Sequence, residues 1–177
     1  MTSETVIHLE WDGPVSLDGA KALHGPTDYG IYQIYGGHPV YGAATLLYIG
    51  IAAAQCFGVR IPQEVWWADN RDAGRLEIYI GRLAGEIVPD DNEWDRQLRL
   101  AERLLIHSHS PPVNSQKSLA TLERELQNVH VFNWARHRDL MPEVSGGRWT
   151  NRYDLPNYHV FSTRELDDRG RPRAPEK

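Results

Sequence analysis

Glu102 is the informative residue of the chain's clearest helix, placed where a carboxylate could hold a cation. From Asn92 to about His107, Trp94, Leu98, Ala101 and Leu105 recur at helical spacing and make one apolar stripe. At about 3.6 residues per turn, Glu102 falls one turn from both Leu98 and Ile106, beside that stripe. A carboxylate there is partly desolvated and needs a partner, either a metal ion or a core-edge arginine. The chain has 8 tyrosines, whose phenolic hydroxyls can move protons, although a phenol of ordinary pKa ~10 is a poor base near neutrality unless a nearby cation lowers it. Arginine, present 16 times, carries a planar fork that matches phosphate. His107 and His109 alternate in the manner of a metal-binding pair, but they end a helix, where cations are favourable without any ligand role. Trp66 and Trp67 suit either base stacking or a core or interface pair. Cys56, the sole cysteine, reads as a small core or helix residue.

The elements that must position these groups are legible in outline. Gly30-Ile31-Tyr32-Gln33-Ile34-Tyr35 and Leu46-Leu47-Tyr48-Ile49-Gly50 flank Gly36-Gly37-His38-Pro39, and β-formers on both sides of a Gly/Pro cluster predict a hairpin. Leu76 to Gly81 predicts a third core strand. Thr5 to Trp11 reads as a short strand stopped by Asp12-Gly13-Pro14, and Ser16 caps a short helix reaching Leu23. Ile51 to Phe57 is rich in helix formers, while Gly58 and Pro62 weigh against a regular helix further on. Asp69 to Gly74 is a polar loop. A short helix is predicted over Leu119 to Gln127 and a strand over Val129 to Trp134. Met141 to Trp149 reads as loop, Tyr158 to Phe161 as a strand, and the charged tail from Arg164 to Lys177 as disordered.

Gly30-Ile31-Tyr32 followed by Tyr48-Ile49-Gly50 resembles the paired signature of the GIY-YIG nuclease superfamily. The resemblance extends in order through Arg60, then Glu102 in Ala101-Glu102-Arg103-Leu104-Leu105-Ile106, then Asn114 in Pro111-Pro112-Val113-Asn114. It covers residues 30 to 114. The resemblance implies a small three-stranded antiparallel sheet flanked by helices, an α+β fold. Residues 29–118 would form the core, 1–28 an N-terminal extension, 119–163 a C-terminal extension packed on the core, and 164–177 a tail. It implies Tyr32, Tyr48, Arg60, Glu102 and Asn114 as catalytic residues, with Tyr48 base-like, Tyr32 its positioning partner, and Asn114 orienting the glutamate or the phosphate. Glu102 would hold Mg²⁺ or Mn²⁺, since hard oxygen ligands suit these ions. Gly50, Glu64 and Trp66 are the candidate substrate-contacting residues. The family often carries His or Tyr four residues after its arginine; here Glu64 stands, so proton transfer at that position requires that a glutamate serve instead.

Composition sets the bounds. A chain of 177 residues suffices for one domain with a proper core. No apolar run reaches the ~18 residues of a membrane span, the polar N-terminus lacks the order of a signal peptide, and one cysteine suits a reducing cytoplasm. Net charge is −5, which weighs against a nucleic-acid partner, although a local cleft can still be basic. The cations comprise 16 arginines and 3 lysines. The expected function is a cytoplasmic, metal-dependent endonuclease acting on DNA, with strand preference open and a homodimer suited to concerted double-strand cleavage. The alternatives are a catalytically silent binding or assembly module of the same fold, and an unrelated α+β binding protein.

Overall fold

The structure is a computed structural model that describes residues 4–65, 75–114 and 122–149. The predicted strand Tyr158 to Phe161, the loop from Asp69 to Gly74, and the tail lie outside the described residues, as do Trp66 and Trp67. Six strands are present: β1 (Thr5–Val15), β2 (Gly30–His38), β3 (Gly42–Ala52), β4 (Glu77–Ala84), β5 (Val129–Ala135) and β6 (Glu143–Ser145). The helices are α1 (Leu17–Lys21), α2 (Phe57–Glu64) and α3 (Asp91–His109).

The sheet corrects the expected fold. It is a six-stranded, mixed, strongly curled half-barrel with strand order β3-β2-β4-β1-β5-β6, rather than a small three-stranded antiparallel sheet. The three expected strands exist as one antiparallel block, in which β2 pairs with β3 (Tyr32 opposite Gly50) and with β4 (Tyr32 opposite Ile80). The sheet does not stop there. β1 pairs antiparallel with β4 and parallel with β5, and β6 closes on β5. Asp12-Gly13-Pro14 does not end the first strand. The ladder shifts register between Asp12 and Val15 and continues, as a bulge allows. Met141 to Trp149, read as loop, contains β6 and a 3-10 turn. Of the short helix predicted over Leu119 to Gln127, the described part is a 3-10 turn at Arg124–Asn128.

Strand alternation sorts the side chains into two apolar layers. On one face, Ile7, Leu9, Trp11, Ile31, Tyr35, Ile49 and Val131 pack under α3, which contributes Leu98, Ala101, Leu104 and Leu105. On the other, Tyr32, Ile34, Ile78 and Ile80 pack under α1 and α2 through Ala20, Phe57 and Ile61. Strands β2 and β4 are therefore covered on both sides. Beyond them α1 and α2 give out, and the same face carries an open tier of stacked rings. His8 and Phe132 lie 5.5 Å apart, and Phe132 and Trp134 5.9 Å apart at 13°. Trp134 is half exposed.

Caps fix the helices as the sequence implies. The Ser16 side chain accepts from Gly19 N, and the Asp90 side chain accepts from Glu93 N. α2 runs through both Gly58 and Pro62, but begins only at Phe57, because β3 continues to Ala52. Among the described residues no helix is long and apolar enough to cross a membrane.

Candidate active site

β2 and β3 place Tyr32 and Tyr48 on one face with ring centroids 6.1 Å apart. Tyr32 is fully buried, and Tyr48 is partly buried. Gly50, directly opposite Tyr32 on β3, makes this possible. A Cβ at Gly50 would overlap the Tyr32 phenol and sit 2.7 Å from Tyr48 Cε1. Gly50 thus gives space to the two tyrosine rings, and the residue is itself buried. Gly50→Ala is expected to displace both phenols and cost about 1–3 kcal/mol by overpacking, read as a lower urea midpoint.

α2 carries Arg60 and Glu64 on one helix face, as i,i+4 spacing dictates. Arg60 Nη2 lies 2.5 Å from Glu64 Oε1, and the Tyr48 hydroxyl donates to Glu64 Oε2 at 3.2 Å. Glu64, expected to contact substrate, links the arginine to the phenol. The Arg60–Glu64 spacing was the available signal for the ion pair; the contact with Tyr48 depends on how α2 docks and has no sequence signature. Arg60 and Glu64 keep only partial exposure, at 35% and 21% of their side chains. Trp66 lies outside the described residues.

Glu102 projects from α3 as a buried carboxylate, and its charge acts on Tyr32, Tyr48 and Arg99. β3 is the edge strand of the described sheet. Burial, joined by the charges of Glu64 and Glu102, raises both phenols. Tyr48 is pushed up to about 12, and Tyr32 further still. Both are therefore neutral near pH 7. The Tyr32 hydroxyl is buried with no hydrogen-bond partner among the described residues.

Asn114 is placed differently from expectation. Its Oδ1 accepts from Ile49 N at 2.9 Å, and its Nδ2 donates to Ile49 O at 2.9 Å. The carboxamide mimics a further strand on the edge of β3, between Tyr48 and Gly50. It acts as a positioning residue. Asn114→Ala leaves a buried N–H and C=O unsatisfied and should cost about 1–3 kcal/mol; faster amide exchange at Ile49 would report it.

The histidine pair separates. His109 Nδ1 lies 2.9 Å from Leu105 O, and Met141 N donates to its Nε2 at 2.9 Å. Burial holds this imidazole below its usual range. A neutral ring with Nδ1–H serves both contacts, which ties β6's approach to the end of α3. His107 instead meets Trp149 edge-on.

Among the described residues no group of three or more His, Cys, Asp or Glu side chains could hold a metal ion. A site built on one carboxylate and waters needs no such group, since Mg²⁺ commonly keeps several waters. The Glu102 carboxylate, a buried hard oxygen donor, is compatible with that case. The arginines of α3 do not form a free cationic track. Arg96 pairs with Glu93, Arg99 with Asp95, and Arg103 with Glu123 and Glu125.

No protein family, curated protein or solved structure compared with the chain matches it. The site must therefore be judged on its own geometry.

Proposed function

We propose that this chain is a metal-dependent endonuclease of the GIY-YIG type that hydrolyses DNA phosphodiester bonds. The observation that carries the reading is the cluster of Tyr32 and Tyr48 with Glu64 and Arg60, from β2, β3 and α2, within reach of the charge of Glu102 on α3. A core-filling tyrosine pair has no need of an arginine, two carboxylates and a buried, unpartnered hydroxyl beside it.

In this reading Glu102, with water, would hold Mg²⁺ or Mn²⁺, which supplies Lewis-acid stabilisation of phosphate charge when bound. Arg60 has five N–H donors, and its ion pair with Glu64 is made through Nη2, so the fork can also reach a non-bridging oxygen as negative charge grows. Tyr48 meets the attacking water, Tyr32 fixes its ring, and Asn114 fixes the strand segment that carries it. The open tier of His8, Phe132 and Trp134 on the same sheet face offers stacking surfaces for unpaired bases, which favours single-stranded or branched DNA over a closed duplex.

The second reading is a catalytically silent binding or assembly module. It is favoured by the Arg60–Glu64 ion pair, which gives the arginine a structural partner, and by the acidic net charge. Cleavage of labelled single-stranded, duplex and branched DNA with Mg²⁺, Mn²⁺ or EDTA separates the two. Metal-dependent product supports the enzyme; a folded protein that cuts none of the three supports the silent module.

A further inference from the structure

We propose that Glu64 is the proton acceptor of this site, drawing the proton of the attacking water through the hydroxyl of Tyr48. The inference rests on the nuclease reading above and assigns the chemistry of its least conventional residue.

Three observations support it. First, the Tyr48 hydroxyl is oriented as a donor to Glu64 Oε2 at 3.2 Å. Second, Arg60 holds the other oxygen, Oε1, at 2.5 Å, so the carboxylate is fixed with its second oxygen turned to the phenol. Third, burial and the surrounding acids keep Tyr48 neutral far above physiological pH. A neutral phenol accepts a proton only as it gives one up, and Glu64 is the acceptor it already contacts. Tyr32 is not placed to start such a relay, because its hydroxyl has no acceptor among the described residues. Among the described residues, the charged and titratable groups facing Glu64 are Arg60 from its own helix and Tyr48 and Tyr32 from β3 and β2. Glu102 from α3 acts on the same phenols.

The step balances without another reactant. As the water oxygen bonds to phosphorus, its proton moves to Tyr48 Oη and the Tyr48 proton moves to Glu64 Oε2. The bond from phosphorus to the leaving sugar oxygen breaks, and that oxygen takes a proton from solvent. Glu64 then returns its proton to solvent, so the net change is one water added across the P–O bond.

The test uses the full chain and the variants Glu64→Gln, Glu64→His and Tyr48→Phe. Glu64→Gln should lower kcat about 10²-fold or more with little change in KM, and should abolish the acidic limb of the kcat–pH profile. Glu64→His should restore part of kcat with that limb moved towards the imidazole range. Independently of cleavage, phenolate absorbance should show a late-titrating phenol in the wild-type protein that Tyr48→Phe removes. In Glu64→Gln that phenol should titrate at lower pH, because the carboxylate holding its proton is gone. Cleavage by Glu64→Gln with wild-type kcat and pH profile overturns the proton role and leaves the nuclease reading standing. An unshifted phenol titration in Glu64→Gln overturns the hydrogen-bonded relay. Absence of any cleavage by the wild-type protein overturns the nuclease reading, and the proton role falls with it.

Discussion

Glu102→Ala is expected to lose metal-dependent cleavage by about 10²- to 10³-fold or more, with the fold intact. The carboxylate is buried on α3 and acts on both phenols, so its removal takes away the group proposed to hold the cation. The fold should survive because Leu98, Ala101 and Leu105, one turn or less away on the same helix, anchor α3 to the sheet without it. The competing account is a carboxylate held for a core-edge arginine. Arg99 feels the Glu102 charge while its guanidinium hydrogen-bonds Asp95 at 2.7 and 3.1 Å. Glu102→Gln, which keeps the shape and loses the charge, separates the two. Lost cleavage with an unchanged urea midpoint and circular dichroism supports the metal role. Full cleavage in either variant sinks the metal role of Glu102 and with it the GIY-YIG type of active site.

Trp11→Ala is expected to cost about 3–5 kcal/mol of folding stability, the range for truncating a buried tryptophan. Trp11 is 1% exposed in the middle of β1, its Nε1 donates to Asn133 Oδ1 at 2.8 Å, and its ring lies 2.9 Å from where a Gly81 side chain would begin. One residue thus ties three adjacent strands together: β1, β4 and β5. Asn133 is itself committed, donating from Nδ2 to Met141 O at 2.8 Å, so the substitution also strands a buried amide. Urea unfolding read by far-ultraviolet circular dichroism measures the cost. A change below 1 kcal/mol would mean that β1 is a dispensable addition to the β2–β3–β4 block and that the six-stranded sheet is wrong.

The local features were legible because they rest on short-range chemistry. The Gly36 to Pro39 cluster marked the hairpin, although its turn falls slightly later, where His38 Nδ1 accepts from Val40 N and Tyr41 N. The spacing of Leu98, Ala101 and Leu105 marked α3 and placed Glu102 at the edge of its apolar face, where it is buried. The Ser16 cap and the third strand through Tyr79-Ile80-Gly81 follow from the same kind of pattern.

What failed was long range. That β1 lies between β4 and β5, and that β5 runs parallel to it, depends on pairing residues about 120 positions apart, such as Thr5 with Val129. Alternation shows that a strand has a buried face, but not which neighbour it takes. The same limit applies to the site. The residue types and their order were in the sequence, as was the Arg60–Glu64 spacing. Only the tertiary structure decided that Gly50 yields its space to two phenols, that Asn114 closes the edge of β3, and that Glu64 receives the Tyr48 hydroxyl. Each of these is a contact between separate elements, fixed by how helix and sheet pack and not by the local preferences of either.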